Sequence, residues 1–262
     1  MPAGPQPTPS ISVAAADDAN RQRRTGTKTV RAAPNSAHEP TAHEPTENMS
    51  KGVSRDASAL EDLEERLARF YDQEAPQRLK RPLPAERIGA RDAFVRLLAT
   101  EDRQRVLDVG AGAGHDAVAL TKAGLRVAAI DLSTQHAAMC RRRGIDALVA
   151  SARRLPFLDN TFDAGWTMST LLHIPDSGID SVLQEIRRVL RPGAPLAVGL
   201  WGGDDREHVV ENDRFDPPRF FAIRSDEAVG SLLARHGTVE SFATWPSGFD
   251  PEEHYQFAVV RT

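Results

Sequence analysis

The chain has 262 residues, enough to bury a sizeable core, and its 33 Lys and Arg against 37 Asp and Glu leave a formal charge of -4. That balance supplies no field for a polyanion, so no nucleic-acid partner is expected. The single cysteine, Cys140, excludes an internal disulfide and a multi-thiolate site, and no metal is expected. No apolar run approaches the ~18 residues of a membrane span. Met1 to Ser10 hold four prolines and lack the basic-then-apolar order of a secretory leader, so the expectation is a cytoplasmic protein with no membrane partner.

From Met1 to Ala57 there is no Phe, Trp or Tyr, and seven of the 18 prolines fall in this stretch. The block Ala37-His38-Glu39-Pro40-Thr41 is repeated at once as Ala42-His43-Glu44-Pro45-Thr46. Residues 1–57 are therefore expected to be a disordered tail, since they cannot bury enough apolar area to offset their ordering entropy. Pro40 and Pro45 interrupt any helix that would align His38 and His43 on a metal. Met49, just ahead of the first patterned segment, offers an alternative translation start.

Residues 58–104 read as an N-terminal helical lid. Ser58 and Glu61 have capping-box spacing, and Leu60, Leu63, Leu67, Phe70 and Tyr71 fall on one helical stripe. A second helix is predicted from Ala85 to Leu98 with Ile88, Phe94, Leu97 and Leu98 inward. Residues 105–262 then read as an α/β core. Short apolar runs at 106–109, 127–130, 147–150, 162–168 and 196–200 alternate with helices ending near Lys122, Arg143 and Leu190, the pattern of βαβ units and a parallel sheet. A helix capped by Ser225 is predicted over 226–235. The last two runs, 239–244 and 255–260, follow one another without a helix and predict an antiparallel hairpin at one sheet edge. The segment between Trp201 and Arg224 shows no clear period.

The first strand enters Asp108-Val109-Gly110-Ala111-Gly112-Ala113-Gly114 and then a helix, so three glycines let the backbone turn tightly against a ligand at a helix N-terminus. A dinucleotide fingerprint needs Gly or Ala three residues after Gly112, where this chain has His115, which argues against nicotinamide or flavin. Asp131 closes the second strand, where in a doubly wound sheet it can accept both hydroxyls of a ribose; its alternative reading is a cap for the helix that follows Leu132-Ser133.

Taken in order, Val106 to Gly114, Asp131, Leu155-Pro156-Phe157 with Phe162-Asp163, and Glu185 to Gly193 resemble the class I S-adenosylmethionine-dependent methyltransferases. More narrowly, they are similar to the group related to ubiquinone and menaquinone methyltransferases, which includes many small-molecule and natural-product enzymes. The resemblance implies a Rossmann-like doubly wound sheet, mostly parallel with a C-terminal antiparallel hairpin strand and helices on both faces. It implies S-adenosyl-L-methionine as cofactor, leaving as S-adenosyl-L-homocysteine, and methyl transfer to an O, N or C nucleophile of a small-molecule acceptor in secondary or quinone-type metabolism. It names no acceptor and no oligomeric state.

Carried over by position, Asp108, Gly110, Ala111, Gly112 and Gly114 would pass under the methionine part, Asp131 would hold the ribose, and Leu132 and Met168 would flank the adenine or the sulfonium. Ser151-Ala152 stands where the family has an acid followed by Ala reading the adenine amino group; the acid is absent, and a hydroxyl accepts more weakly than a carboxylate. His173, in Thr170-Leu171-Leu172-His173-Ile174-Pro175, is the candidate general base or else a histidine that shapes its loop. Tyr71 would fold over the cofactor, and Trp201 and Phe220 would face the acceptor; plain core packing is the alternative for these aromatics. Arg141-Arg142-Arg143 and Arg187-Arg188 with Arg191 close helices and are read as solvated cations. Asp216-Pro217-Pro218-Arg219 nearly matches a motif of enzymes that methylate DNA-base amino groups, but its fourth residue is not aromatic and it does not follow the fourth strand, so no chemistry is assigned to it. A macromolecular methyltransferase acting on RNA or protein, and a cofactor-binding module without transfer chemistry, are the rival readings.

Overall fold

The structure, a computed structural model, describes residues 46–246 and 253–262. The repeat with His38 and His43, and residues 1–45 of the expected tail, lie outside the described residues. Seven strands form one sheet: β1 (Arg105–Val109), β2 (Arg126–Asp131), β3 (Asp146–Val149), β4 (Ala164–Met168), β5 (Pro195–Gly202), β8 (Thr238–Pro246) and β9 (His254–Arg261), in the order β3-β2-β1-β4-β5-β9-β8. The first five pair in parallel, and β9 pairs antiparallel with both β5 and β8, as the hairpin pattern predicts.

Central strands have to be apolar on both faces because helices cover both. On one face α5 (Asp176–Val189) and α6 (Asp226–Ala234) pack Ile179, Val182, Leu183, Ile186, Val229 and Leu233 against Leu107, Val109, Val198 and Leu200. On the other, α2 (Ala85–Thr100) and α3 (His115–Lys122) place Phe94, Leu98 and Leu120 on Val106, Trp166 and Ala197, while α4 (Thr134–Arg142) lays Cys140 near Ala129 and Ala147. Residues of opposite parity on β1 thus reach opposite cores, and Asp108 is buried on the α2 and α3 side. Ser225 caps α6, its Oγ accepting from the Ala228 N–H.

Four expectations are corrected. Helix α1 runs over Thr46–Arg78, so it starts twelve residues ahead of Ser58 and the boundary placed at 57 falls inside it; no proline interrupts the sequence from Thr46 to Ala75. Ile88 is 38% exposed, because six residues separate it from Phe94 and turn it off the Phe94–Leu98 face. The segment after Trp201 contains a small antiparallel pair, β6 (Arg206–Val209) with β7 (Phe220–Ile223). The basic clusters do more than meet water: Arg141 and Arg143 donate to the Ala147 and Ala113 carbonyls, and Arg188 donates to those of Leu155 and Phe157. Glu185 completes that clamp, accepting the Leu155 N–H at 2.7 Å and the Arg188 guanidinium at 2.8 Å.

Asp163 fixes the entry to β1. Its Oδ2 accepts the backbone N–H of Arg105 at 2.9 Å and of Gln104 at 3.2 Å, and Arg191 lies 2.7 Å from Oδ1. Burial alone would raise its pKa; the two N–H donors and the cations of Arg191 and Arg105 outweigh burial and hold it below the ordinary carboxylate value. A depressed folded-state pKa stabilises the fold above the unfolded pKa, and that contribution disappears as pH falls through the folded one. Asp163→Asn is therefore expected to lower stability by about 1–3 kcal/mol at pH 7. Denaturant titrations across pH should show the gap to the parent protein widest above about pH 4 and shrinking below it.

Candidate active site

The turn after β1 lies at the carboxyl ends of the parallel strands, where the sheet opens. Gly110, Gly112 and Gly114 adopt φ of 73°, 56° and 76°, conformations that side chains disfavour. At Gly110 an added Cβ would come within 2.0 Å of Thr170 Oγ1, whose hydroxyl donates to the Val109 carbonyl at 3.1 Å. At Gly112 a Cβ would point into open space with no atom within 4 Å. The two glycines thus differ: one lets a loop approach, the other keeps a cavity clear.

Asp131 ends β2 beneath that turn. Its Oδ2 accepts the Gly112 N–H at 2.8 Å and its Oδ1 the Ser133 N–H at 2.9 Å, with His136 Nδ1 at 3.5 Å. Ser133 caps α4 by accepting the His136 N–H, which leaves Asp131 free of the capping role. Each carboxylate oxygen keeps a lone pair for a hydroxyl donor. With Val109, Gly110, Gly112, Ile130, Leu132, Ala150, Ala152 and Met168, Asp131 lines a mostly apolar cavity.

Helix α1 closes this cavity from above with Glu64, Leu67, Tyr71 and Arg78, whose spacing of three, four and seven puts them on one helical face. The Tyr71 hydroxyl lies 2.5 Å from His173 Nε2, and His173 Nδ1 lies 2.8 Å from the Phe220 carbonyl. A carbonyl only accepts, so Nδ1 carries the proton and Nε2 accepts from Tyr71. Burial, helped by the cations of Arg219 and Arg78, pushes the His173 pKa down to about 4. Burial likewise raises the Tyr71 phenol, against the pull of the same arginines. Both side chains are neutral at pH 7.

A second cavity of about 350 Å³ adjoins the first. Trp201, Phe221, Trp245 and Tyr255 give it aromatic walls, in stacked pairs with centroids 6.0 Å (Trp201–Phe221) and 5.1 Å (Trp245–Tyr255) apart. Arg78, Arg81, Arg87 and Arg219 give it cations. Arg219 is held by Asp213 at 2.8 and 2.9 Å, with its guanidinium over the Phe70 and Phe221 rings. Arg87 is held by Asp116 at 2.6 Å, and Arg78 and Arg81 stand 3.6 and 3.5 Å from one oxygen of buried Glu74.

The structure brings together Tyr71, His173, Gly110, Ala111, Gly112, Asp131, Leu132, Ala152, Met168 and Trp201 along these two cavities. It sets others apart. Gly114 lies outside both cavities and faces Cys140, whose Sγ would be 2.8 Å from an added Cβ. Asp108 sits behind the turn, 2% exposed and not among the lining residues; burial and the charges of Asp116 and Asp131 raise its pKa well above the usual range. Phe220 contributes its carbonyl, while the next residue on β7, Phe221, turns its ring to the cavity. Ser151 is engaged by Glu64. Sequence reading missed Glu64, Asp72, Arg78 and Arg219; the helical spacing of 64, 67, 71 and 78 was a usable signal, and the Asp-Pro-Pro-Arg segment drew attention to Arg219 for the wrong reason.

A direct check on this geometry is the titration of His173 by nitrogen and carbon chemical shifts. The ring should hold its Nδ1–H form across pH 6 to 8 and protonate only near pH 4; Tyr71→Phe, which removes the donor to Nε2, should alter the Nε2 shift at neutral pH.

Residues 106–193 match the family described as methyltransferase domain. The chain is 38% identical over 103 residues to methyltransferase GfsG of Streptomyces halstedii, a match covering 36% of each chain. It is 30% identical over 152 residues to the demethylmenaquinone methyltransferase of Corynebacterium glutamicum, covering 55% of this chain and 62% of that one. The matched lengths are thus less than two thirds of either curated relative. The fold is shared with the 1,6-didemethyltoxoflavin-N1-methyltransferase of Burkholderia thailandensis, solved with 1,6-didemethyltoxoflavin and S-adenosylhomocysteine, at a TM-score of 0.54 and 22% identity, over 86% of this chain and 93% of that one. The turn from Gly110 to Gly114, Asp131 and the clamp closed by Glu185 and Arg188 all lie within the residues, 106–193, that match the methyltransferase-domain family.

Proposed function

We propose that the chain transfers the methyl group of S-adenosyl-L-methionine to a small, flat acceptor bound in the aromatic cavity. The observation that carries this reading is that the two cavities meet: Tyr71, Arg78, Gly110, Gly112, Met168, Ser169 and His173 line both. A donor lying along the first and an acceptor in the second would face one another at this shared wall. S-adenosylmethionine supplies an electrophilic methyl group on a sulfonium.

The residues suit that cofactor. Asp131 would accept the ribose hydroxyls, Leu132 and Ala152 would flank the adenine, and the open space beside Gly112 would take the methionine part. Methyl transfer asks chiefly for alignment of nucleophile and methyl group, and positioning alone supplies many powers of ten. A base matters only for an acceptor whose proton has to leave first. His173 is poorly suited to that task, since taking a proton at pH 7 onto a group of pKa about 4 costs about 4 kcal/mol. Its work is positional, holding the Tyr71 hydroxyl in place. Arg78, Arg81 and Arg219 instead favour an acceptor oxygen that is already anionic, such as an acidic phenol or enol, stacked on Trp201 and Phe221.

Incubation with methyl-labelled cofactor and a panel of phenols and hydroxyaryl acids should give a labelled small-molecule product; label found only in protein or RNA would sink the acceptor assignment. Asp131→Ala is expected to weaken S-adenosylhomocysteine binding by about 1.5–3 kcal/mol, one to two decades in Kd. Trp201→Ala should lower turnover while leaving that Kd nearly unchanged, and equal loss of both would place Trp201 in the wrong half of the site.

A further inference from the structure

Two carboxylates line the first cavity among the described residues, Asp131 and Glu64, and they come from distant parts of the chain. Asp131 is oriented by backbone N–H groups of the glycine turn and of α4. Glu64 is oriented by the segment after β3. The Ser151 hydroxyl donates to Glu64 Oε1 at 2.5 Å, Ser151 Oγ accepts the Arg153 N–H at 3.0 Å, and Arg153 Nη1 stands 3.5 Å from Glu64 Oε2. The Glu64 side chain is only 16% exposed. Glu64 thus lines an apolar cavity with its carboxylate held in place by Ser151 and Arg153, and each carboxylate oxygen keeps a lone pair for a further donor, because a carboxylate can only accept.

We infer that Glu64 is the group that selects the adenine ring of the cofactor, by accepting a hydrogen bond from its exocyclic amino group; this rests on the cofactor reading above. Between Asp131 and Glu64 the cavity wall is apolar, made by Leu67, Ile130, Leu132, Ala150 and Ala152, a slot fit for a flat heterocycle. Adenine carries three ring-nitrogen acceptors on its six-membered ring and imidazole edge and a single donor group, the 6-amino group. Only the amino group can face a carboxylate without repulsion. Ser151 then has a role its own hydroxyl chemistry does not suggest: it stands at the end of β3 as the latch that holds a carboxylate delivered by α1. The selecting acid is thereby placed on the same helix as Tyr71, seven residues away on the same face.

The test is titration calorimetry on the full chain with two ligands, S-adenosylhomocysteine and its analogue carrying purine without the 6-amino group. The parent protein should prefer the amino-bearing ligand by about tenfold or more. Glu64→Ala should abolish that preference by weakening S-adenosylhomocysteine while leaving the analogue's Kd unchanged, and Glu64→Gln, which keeps one acceptor oxygen and the side-chain shape, should retain part of it. If Glu64→Ala weakens both ligands equally, Glu64 only fastens α1 and the inference falls. It falls equally if neither ligand is affected. If the parent protein binds neither ligand, the cofactor reading fails and takes this one with it, a result distinguishable from the other two.

Discussion

The carboxylate of Asp72 is the attachment on which the geometry of the site depends. It accepts from the Ser133 hydroxyl at 2.5 Å, the Thr134 hydroxyl at 3.0 Å and the Gln135 N–H at 3.0 Å, so a side chain of α1 covers the first turn of α4. Burial would raise its pKa, but these donors hold it below the usual carboxylate value. A negative charge there meets the positive end of the α4 dipole as well as its unpaired N–H groups. Helix α4 begins just after Asp131, whose Oδ1 accepts the Ser133 N–H at the start of that helix, so α1 is fastened to the element next to the cavity's inner carboxylate. Further along, Phe70 packs on Phe215 and under Arg219, and Gln73 donates to the Asp216 carbonyl. One peripheral helix is thereby tied to both halves of the site.

The electrostatics of the site oppose those of the whole chain. A formal charge of -4 conceals a cavity lined by four arginines, each anchored by an acid placed on its outer side: Asp116 for Arg87, Asp213 for Arg219, and Glu74 for Arg78 and Arg81. Asp116 is further committed to Arg91 and to the indole N–H of Trp166. Beside Arg78 on the shared wall, His173 and Tyr71 are kept uncharged. An arrangement of fixed cations around neutral hydrogen-bonding groups stabilises negative charge on a bound molecule without any protein group having to ionise.

What could be read in the chain beforehand follows from how local each signal is. Strands β1, β4 and β5 are visible because strands buried on both faces are written as continuous apolar runs; β2, the largely exposed edge strand β3, the helices between them and the closing hairpin are visible because their apolar runs and periods are bounded by glycines and polar residues. Asp131 and the glycine turn are visible because they close two successive strands of one βαβ unit, only 19 residues apart along the chain. Glu64 is not visible in this way, since its partner Ser151 is 87 residues away and nothing near Glu64 sets it apart from the other acids of α1. Arg219 depends on Phe70 and Asp213 in the same fashion. The pair β6 and β7 has four residues in each strand and only half of the β6 positions even partly buried, too short a pattern to stand out. Phe220 and Phe221 are adjacent aromatics, and only the register of β7 decides which ring meets the cavity and which carbonyl meets His173.

The placement of the three tryptophans has a spectroscopic consequence. Trp166 is completely enclosed in the sheet, with its indole N–H on a buried carboxylate and Phe94 and Phe257 against its ring. Trp201 and Trp245 stand on the walls of the second cavity, each stacked on a neighbouring ring. Intrinsic fluorescence from this chain therefore divides into a blue-shifted component that reports whether the sheet is assembled and a component at the cavity that reports what occupies it, so a molecule entering between Trp201 and Trp245 changes emission without any label and without any turnover.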